Sequence, residues 1–502
     1  MAPGVLVDEA DMPPASSEFA GSLCTSKVII DRNRLCNIQD APMTPRNYLL
    51  GRNARKPPLK LVDNRGNWLS IADGRGANWK VFDASGGAGV SSIGHRNPKI
   101  MKAMHEAIDD GLFYAPSLSF ETDPCRKMAE MLVLSTDKKM GSVVFYSSGS
   151  EGVEAAKKFA RHWHAELKPE PEPSRQLFIA RKNSYHGATL GALELSGHET
   201  RKSVYRSNLS GDTSHISPCY SYRGLKDGET HSKYVARLAT ELAAEIEILG
   251  PSNVAAFVME PVVGAALGCV PALPGYLQAM KNVCVKYGVL LIFDEVMCGM
   301  GRTGYLHAWQ GENVSPDIQI VGKCLAGGYE ALSAMLVSTE ISEVYNQGEV
   351  MFNHGHTFQN APRACGVALA VQKLVQDENL LANVQEKGAL LQQKLTKRLG
   401  GHRNVGDIRG AGLFRGIEFV RNQSTKEPFP SAMNIAWKLH EKGLSRDYGI
   451  YIYPGQGSAD GHRGDHIIIA PAYNINDGDV DEIVNRVCKL VVDFFDGLDA
   501  NA

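Results

Sequence analysis

The sequence predicts an α/β protein: a large domain on a mostly parallel β-sheet covered by helices, plus a smaller α+β domain assembled from the N- and C-terminal segments. Three observations carry this. From about Pro98 to Val344 the chain repeats one rhythm of apolar strand, polar turn and amphipathic helix. The strands there are continuously apolar, as strands covered on both faces are. The flanking segments differ, with short alternating strands after Leu59 and a mixture of helices and strands near the C-terminus. At 502 residues, 43% hydrophobic and 22% charged, the chain is long enough to bury such a core.

Taken in order, residues 1–40 are polar, dotted with Pro and Ser, and read as a loose arm. Residues 41–97 are assigned to the N-terminal part of the small domain, where LKLVDNRGNWL and WKVFDASGG alternate like strands. Residues 98–344 form the large domain. Its expected strands are Val143–Tyr146, Leu177–Ala180, Ala255–Met259, Val289–Phe293 and Ile318–Val321. The first helix, Glu151–Trp163, puts Val153, Ala156, Phe159, Ala160 and Trp163 on one face, and a later helix runs through Leu277, Met280, Cys284 and Tyr287. Lys168–Ser174 (KPEPEPS) is a solvated turn. Residues 345–502 form the C-terminal part of the small domain, with helices Leu380–Leu399 and Ala432–Lys442 and strands Leu413–Val420, Gly449–Tyr453 and His466–Ala470.

Composition narrows the function. Fifty-three basic against 55 acidic residues leave a net charge of −2, which gives no sign of nucleic-acid or anionic-membrane binding. Ten cysteines without a C-x-x-C pair read as reduced core thiols. His354 and His356, like His162 and His164, lack acidic or thiol partners at ligand spacing, so no metal is expected. The N-terminus has neither a secretory nor a transit pattern, and apolar runs are strand-length, so a soluble cytoplasmic protein is expected. Glycine is in excess, 50 of 502 residues, about 10% where ~7% is usual.

Ligands of parallel sheets bind beyond the carboxyl ends of strands, so the residues standing there carry the argument. Ser147-Ser148-Gly149-Ser150 opens a helix, where free N–H groups suit a phosphate or simply a serine cap. Ser184-Tyr185-His186-Gly187 places an aromatic at a strand exit. Glu260, Asp294-Glu295 and Gly322-Lys323 put carboxylates and a lysine at three further strand ends. A Schiff-base lysine, an acid for a ring nitrogen and a phosphate cradle are together what pyridoxal 5′-phosphate requires.

The segments SSGSEGVEAAKKFAR, YHGATLGA, VMEPVVGAALG, LLIFDEVMCGMGRTG, SPDIQIVGKCLAGG and GHTFQNAPRACGVALA resemble the class III (omega) aminotransferases of fold type I. The resemblance runs from about Asp83 past Pro471. It implies that Lys323 is the Schiff-base lysine and proton shuttle, and that Asp294 pairs with the ring nitrogen of pyridoxal phosphate. It further implies that Val296 and Tyr185 cover the two ring faces, with Glu260 in support. Ser148, Gly149 and Ser150 would hold the phosphate, helped by Thr357 from a partner subunit, so a homodimer with shared active sites is implied. The implied reaction is ping-pong transfer of an amino group from an amine or amino acid to a keto acid such as pyruvate or 2-oxoglutarate.

Some positions depart from the family's pattern. Met297 stands where a glutamine is usual, and Ala326 replaces a glycine in the lysine loop. Ala265 occupies the glutamate position, and Ile468 the arginine position, of ornithine- and GABA-type members. Arg463 is the candidate for a mobile substrate arginine, Tyr114 for the substrate pocket, and Gly89 lies near an aromatic position of some amine transaminases. Rival readings are an aminomutase, epimerase or decarboxylase on the same fold. More remote is an NAD(P)-binding oxidoreductase reading of GMGRTG, which fails because no amphipathic helix follows it. The glycine clusters at Ser85–Gly89, Ser148–Gly152, Tyr185–Gly187, Cys298–Gly304, Gly322–Gly328 and Gly355–Phe358 are read as backbone making room for the cofactor.

Overall fold

The computed structural model describes Leu50 and residues 58–499; the arm expected over residues 1–40 lies outside the described residues. Strands β1 (Lys60–Arg65), β2 (Trp68–Ala72) and β3 (Asn78–Asp83) form an antiparallel meander, as the alternation after Leu59 predicts. The main sheet then takes β4 (Met140–Tyr146), β5 (Leu177–Arg181), β6 (Thr213–Ile216) and β7 (Val254–Met259). Two short strands, β8 (Val262–Val263) and β9 (Val270–Pro271), pair with each other, and β10 (Leu290–Glu295), β11 (Ile318–Val321) and β12 (Ser333–Ser338) complete the main sheet. Its order is β4-β12-β11-β10-β7-β5-β6. Every pairing is parallel except the two made by β12.

Successive residues of these strands face opposite layers. Ala256, Val258, Leu290 and Ile292 pack against the helix Gly149–His162. Phe257, Met259, Leu291 and Phe293 pack against the helices His231–Leu249 and Tyr276–Tyr287. Burial on both faces is why these strands read as unbroken apolar runs. Strand β6 and the antiparallel β12 carried no such clear signal. The first covering helix buries Val153, Ala156, Phe159 and Ala160 as expected, but Trp163 begins a π-helical turn, Trp163–Leu167, in place of continuing it.

The remaining strands are β13 (Val405–Ala411), β14 (Phe414–Phe419), β15 (Ile450–Tyr451), β16 (Tyr453–Gln456) and β17 (Asp465–Ile469). Four of them form an antiparallel sheet in the order β13-β14-β17-β16. The fifth, β15, instead adds in parallel to β3 of the N-terminal meander. The stretch expected as one strand, Gly449–Tyr453, therefore divides at Ile452 between two sheets. The helix Leu380–Leu399 forms where the pattern places it. The helix expected at Ala432–Lys442 starts at Ile435, because Asn434 takes a left-handed φ of 48°. Among the described residues, no helix is long and apolar enough to cross a membrane, and the cysteines are buried and free.

Helix Leu380–Leu399 lies so close to the β13–β14 turn that a Cβ on Gly388 would stand 2.2 Å from the Gly412 carbonyl oxygen. On an isolated helix, Gly388→Ala would stabilise by ~1 kcal/mol. Backbone cannot yield as a side chain does, so the overpacking cost of ~1–3 kcal/mol should win. The expected outcome is a Tm lowered by several degrees in calorimetry; an unchanged or raised Tm would show that the two segments are not in contact.

Candidate active site

The carboxyl ends of β4, β5, β7, β10 and β11 lie along one edge of the sheet, the edge where parallel sheets bind ligands. There they surround a cavity of about 280 Å³. Its walls include Ser148, Gly149, Ser150, Tyr185, Glu260, Asp294, Val296 and Lys323, so these sequence-predicted residues are brought together. A larger groove of about 880 Å³ runs beside the helix Gly149–His162. It holds none of these groups, and its Lys157 is paired with Asp212 at 2.7 Å.

Asp294 is buried, and both carboxylate oxygens are held. Oδ1 accepts from the Val296 N–H at 3.0 Å, and Oδ2 lies 2.8 Å from Nδ1 of His186. A carboxylate only accepts, so the imidazole donates. The other ring nitrogen of His186 is buried with no hydrogen-bond partner among the described residues. Each carboxylate oxygen keeps a lone pair for a further donor in the cavity. Glu260 is placed by two backbone amides, Tyr185 N–H at 3.2 Å and Gly264 N–H at 2.9 Å. Burial, against the pull of the His186 ring, raises its carboxyl above the usual range. Glu295, one residue beyond Asp294, turns away: its carboxylate accepts from Ala308 and Trp309 at 2.7 and 2.9 Å and caps a 3-10 turn. Burial lifts its pKa to about 7.

Lys323 follows β11 after Gly322 and takes a left-handed φ of 42°. A side-chain-bearing residue pays roughly 1–2 kcal/mol for that conformation, and such strain gathers at functional sites. Burial lowers the pKa of its amine, opposed by the nearby Tyr453 hydroxyl and Asp294. The loop is fixed from behind by Arg302 of the GRTG segment. Its buried guanidinium donates to Leu413 O at 3.1 Å, Pro471 O at 2.5 Å, Gly89 O at 3.3 Å and Cys324 Sγ at 3.6 Å.

At the far end of the cavity, Ser148 caps the helix, accepting from Glu151 N–H at 3.3 Å, and Ser150 Oγ accepts from Ala188 N–H at 2.9 Å. Gly149 packs on Val296 so tightly that a Cβ would stand 2.7 Å from Val296 Cγ1. Phosphate-accepting amides, an anchored carboxylate and a buried lysine thus share one small space, which fits a phosphorylated pyridine carbonyl. Among the described residues, no group of His, Cys, Asp and Glu is arranged to hold a metal.

Ala265 and Met297 give the cavity an apolar wall, backed by residues that do not line it. Ala265, Met297, Ile468 and Val262 form one cluster, with Tyr185 and Tyr453 packed against it. Tyr453 stands opposite Ile468 in the ladder. Met297 fills the space that Gly264 leaves open, where a Cβ would come 2.4 Å from its Sδ. Three expected residues lie outside the cavity. Thr357 and Tyr114 are exposed, the latter with its ring 6.1 Å from Phe358. Arg463 sits in an exposed loop, its Nε 2.7 Å from Asp460 Oδ2, beside a separate hollow. Sequence reasoning missed His186, Arg302 and Tyr453. The YHG and GRTG motifs contained the first two, but neither motif reveals what its residue faces.

Residues 50–491 match the family model described as aminotransferase class-III. An aminotransferase of Gibberella zeae is 43% identical over 436 residues, covering 87% of this chain and 84% of that one. An uncharacterized aminotransferase of Schizosaccharomyces pombe is 41% identical, covering 89% and 95% of the two chains. Among solved structures, a thermostable (S)-enantioselective omega-transaminase from Thermomicrobium roseum superposes with a TM-score of 0.79 at 33% identity, over 88% of this chain and 94% of the other.

The Gly149–Val296 contact predicts the effect of Gly149→Ala. Val296 is β-branched and stiff, so it must shift into the cavity. Equilibrium dialysis should show pyridoxal phosphate binding weakened about tenfold, with the Tm of the cofactor-free chain hardly changed. Unaltered affinity would show that the space between these residues and the helix start is not used.

Proposed function

The chain belongs to the class III aminotransferases, and from that premise we propose that the residues around the 280 Å³ cavity hold pyridoxal 5′-phosphate and carry out the transfer of an amino group. Bound there, the cofactor supplies an electrophilic carbonyl and an electron-withdrawing ring. The observation that carries the reading is the convergence of Lys323, Asp294 and the Ser148–Ser150 amides on one cavity.

Each residue has a distinct task in this reading. Asp294, held by His186 and the Val296 amide, keeps a proton on the ring nitrogen. Tyr185 and Val296 cover the ring faces, and Ser148, Gly149 and Ser150 bind the phosphate. Glu260 fixes the Tyr185 backbone. Lys323 would hold the cofactor's carbonyl carbon through its amine and, once displaced by the incoming substrate amine, would carry a proton from the substrate carbon to that cofactor carbon. Burial lowers the pKa of this amine, which brings its neutral, nucleophilic form within easier reach than for an exposed lysine. The substrates are an amine or amino acid and a keto acid such as pyruvate or 2-oxoglutarate. Residues 98–344 provide the cofactor domain, with 41–97 and 345–502 the smaller domain around it.

A second copy of the chain completes the site in this reading. Large apolar side chains are exposed in two segments, with Phe113, Tyr114, Leu118 and Phe120 in one and Met351 and Phe358 in the other. The Tyr114–Phe358 contact joins them into one patch. Such patches mark interfaces, and Thr357 lies in this one. A homodimer would cover the patch and bring Thr357 to the partner's phosphate site. The buried, free thiols support a reducing, cytoplasmic setting.

Two measurements test the reading. The cofactor absorbance of the loaded protein should change on adding an amine donor and return on adding pyruvate or 2-oxoglutarate. Carbon dioxide release or racemisation without an acceptor would instead favour the decarboxylase or epimerase reading. Lys323→Ala should abolish borohydride-fixable attachment of the cofactor. In the wild type, the attachment rate should rise with pH and level off below 10.5, the ordinary lysine value. A plateau only above that value would contradict the burial of the amine. Ultracentrifugation should give twice the chain mass of 54.6 kDa.

A further inference from the structure

Ala265 borders the cavity, yet little of its own hairpin holds it there. It lies in the loop 264–269 between β8 and β9, strands of two residues each. Within the loop, Gly264 O accepts from the Gly268 and Cys269 amides at 2.8 and 3.3 Å. The carbonyls of Ala265, Leu267 and Gly268 are instead held from outside, by two side chains of the C-terminal antiparallel sheet. Nε2 of His466, on β17, lies 3.2 Å from Ala265 O. Arg409, on β13, donates through Nε to Gly268 O at 2.9 Å and through Nη2 to Leu267 O.

Both side chains are firmly set. His466 is fully buried between two glycines. A Cβ on Gly268 would stand 2.6 Å from its Cδ2, and a Cβ on Gly455 of β16 would collide with its Nε2. A carbonyl only accepts, so Nε2 carries the proton. Burial, together with the nearby Arg409, lowers the ring's pKa to about 3 and keeps it neutral. Its Nδ1 is buried without a hydrogen-bond partner among the described residues. An apolar side chain would fill this place without stranding a nitrogen, so the bond to Ala265 is the polar role the imidazole has here. Arg409 donates to Glu418 at 2.7 Å and to Asp407 at 3.0 Å, with the Tyr220 ring 5.0 Å from its central carbon. Glu418 stands opposite His466 in the ladder, and Arg223, at 2.7 Å, and the Tyr220 hydroxyl hold it as well.

We propose that His466 is a positioning residue for substrate selection: with Arg409 it fixes the Ala265 loop at the cavity wall and so limits the length of the amine that enters. This rests on the aminotransferase reading. The loop is tied at its start to Glu260, which accepts from Gly264 N–H at 2.9 Å, and from Ala265 onward to the small sheet. Ala265 carries one methyl group, so what it excludes depends on where the backbone puts it. Loss of the His466 bond frees that peptide, while Glu260 and Asp294 keep their own partners.

The test compares cofactor-loaded wild type with His466→Leu and His466→Gln. Leucine fills the space without a donor, and glutamine returns an amide N–H near the position of Nε2. Steady-state rates with pyruvate as acceptor give kcat and KM for ethylamine and hexylamine, and equilibrium dialysis gives the cofactor Kd. In His466→Leu, kcat/KM for hexylamine relative to ethylamine should rise at least about fivefold, through KM, with kcat and cofactor Kd within about twofold. His466→Gln should restore most of the wild-type ratio. Gly455→Ala, whose added methyl displaces the imidazole, should act like His466→Leu and replaces it in the comparison if His466→Leu does not load cofactor. A ratio that does not rise, a cofactor Kd that weakens in step with activity, or a glutamine variant no better than leucine would overturn the proposal and leave His466 a packing residue. Failure of the wild type with every amine would instead remove the aminotransferase reading itself.

Discussion

One guanidinium holds the site together. Arg302 is fully buried and donates to carbonyls of residues 413 and 471, to Gly89 and to the sulfur of Cys324, the residue after Lys323. Its ring neighbour is Tyr473, 4.7 Å away. No carboxylate pairs with it among the described residues, so its burial is tolerated because its two terminal nitrogens find acceptors in four segments. Those segments come from both ends of the chain and from the middle. The strained turn at Lys323 keeps its shape because its neighbour is tied to all of them.

Around that anchor the cavity is divided by charge. Its floor has carboxylates that are immobilised by backbone amides and an imidazole, so their positions do not depend on what enters. Its upper wall is greasy and closely packed, with Met297 wedged between glycines. Between these fixed dipoles and the apolar face lies the buried amine of Lys323, whose pKa burial lowers. The buried Glu295 shows the same economy in structural form, spending its carboxylate on a turn.

The fold and much of the floor were legible because both rest on local patterns. Apolar runs reported strands covered on two faces, and residues at strand ends converged on one edge because all the strands that present them are parallel. What stayed hidden depended on partners distant in sequence. His186 is unremarkable until Asp294, more than a hundred positions away, is found against it. Arg463 looked suitable because it precedes the late strand, yet Asp460, three residues earlier, takes it first. Ile452 gave no sign of a change of sheet, since strand propensity does not name a neighbour. The glycine excess divides as well: Gly149 and Gly264 serve the cavity, but Gly388, Gly410 and Gly416 let backbones touch in the small antiparallel sheet.

The change of sheet at Ile452 has a mechanical side. β15 belongs to the N-terminal meander and β16 to the C-terminal sheet, and a single buried residue links them. Tyr453, first residue after that link, packs against the apolar cluster behind the cavity wall and acts on the Lys323 amine. The two sheets cannot slide past one another without carrying this phenol with them. They act as a yoke rather than as separate layers, so a load applied at the edge of the meander is delivered, over the length of one residue, to the phenol beside Lys323.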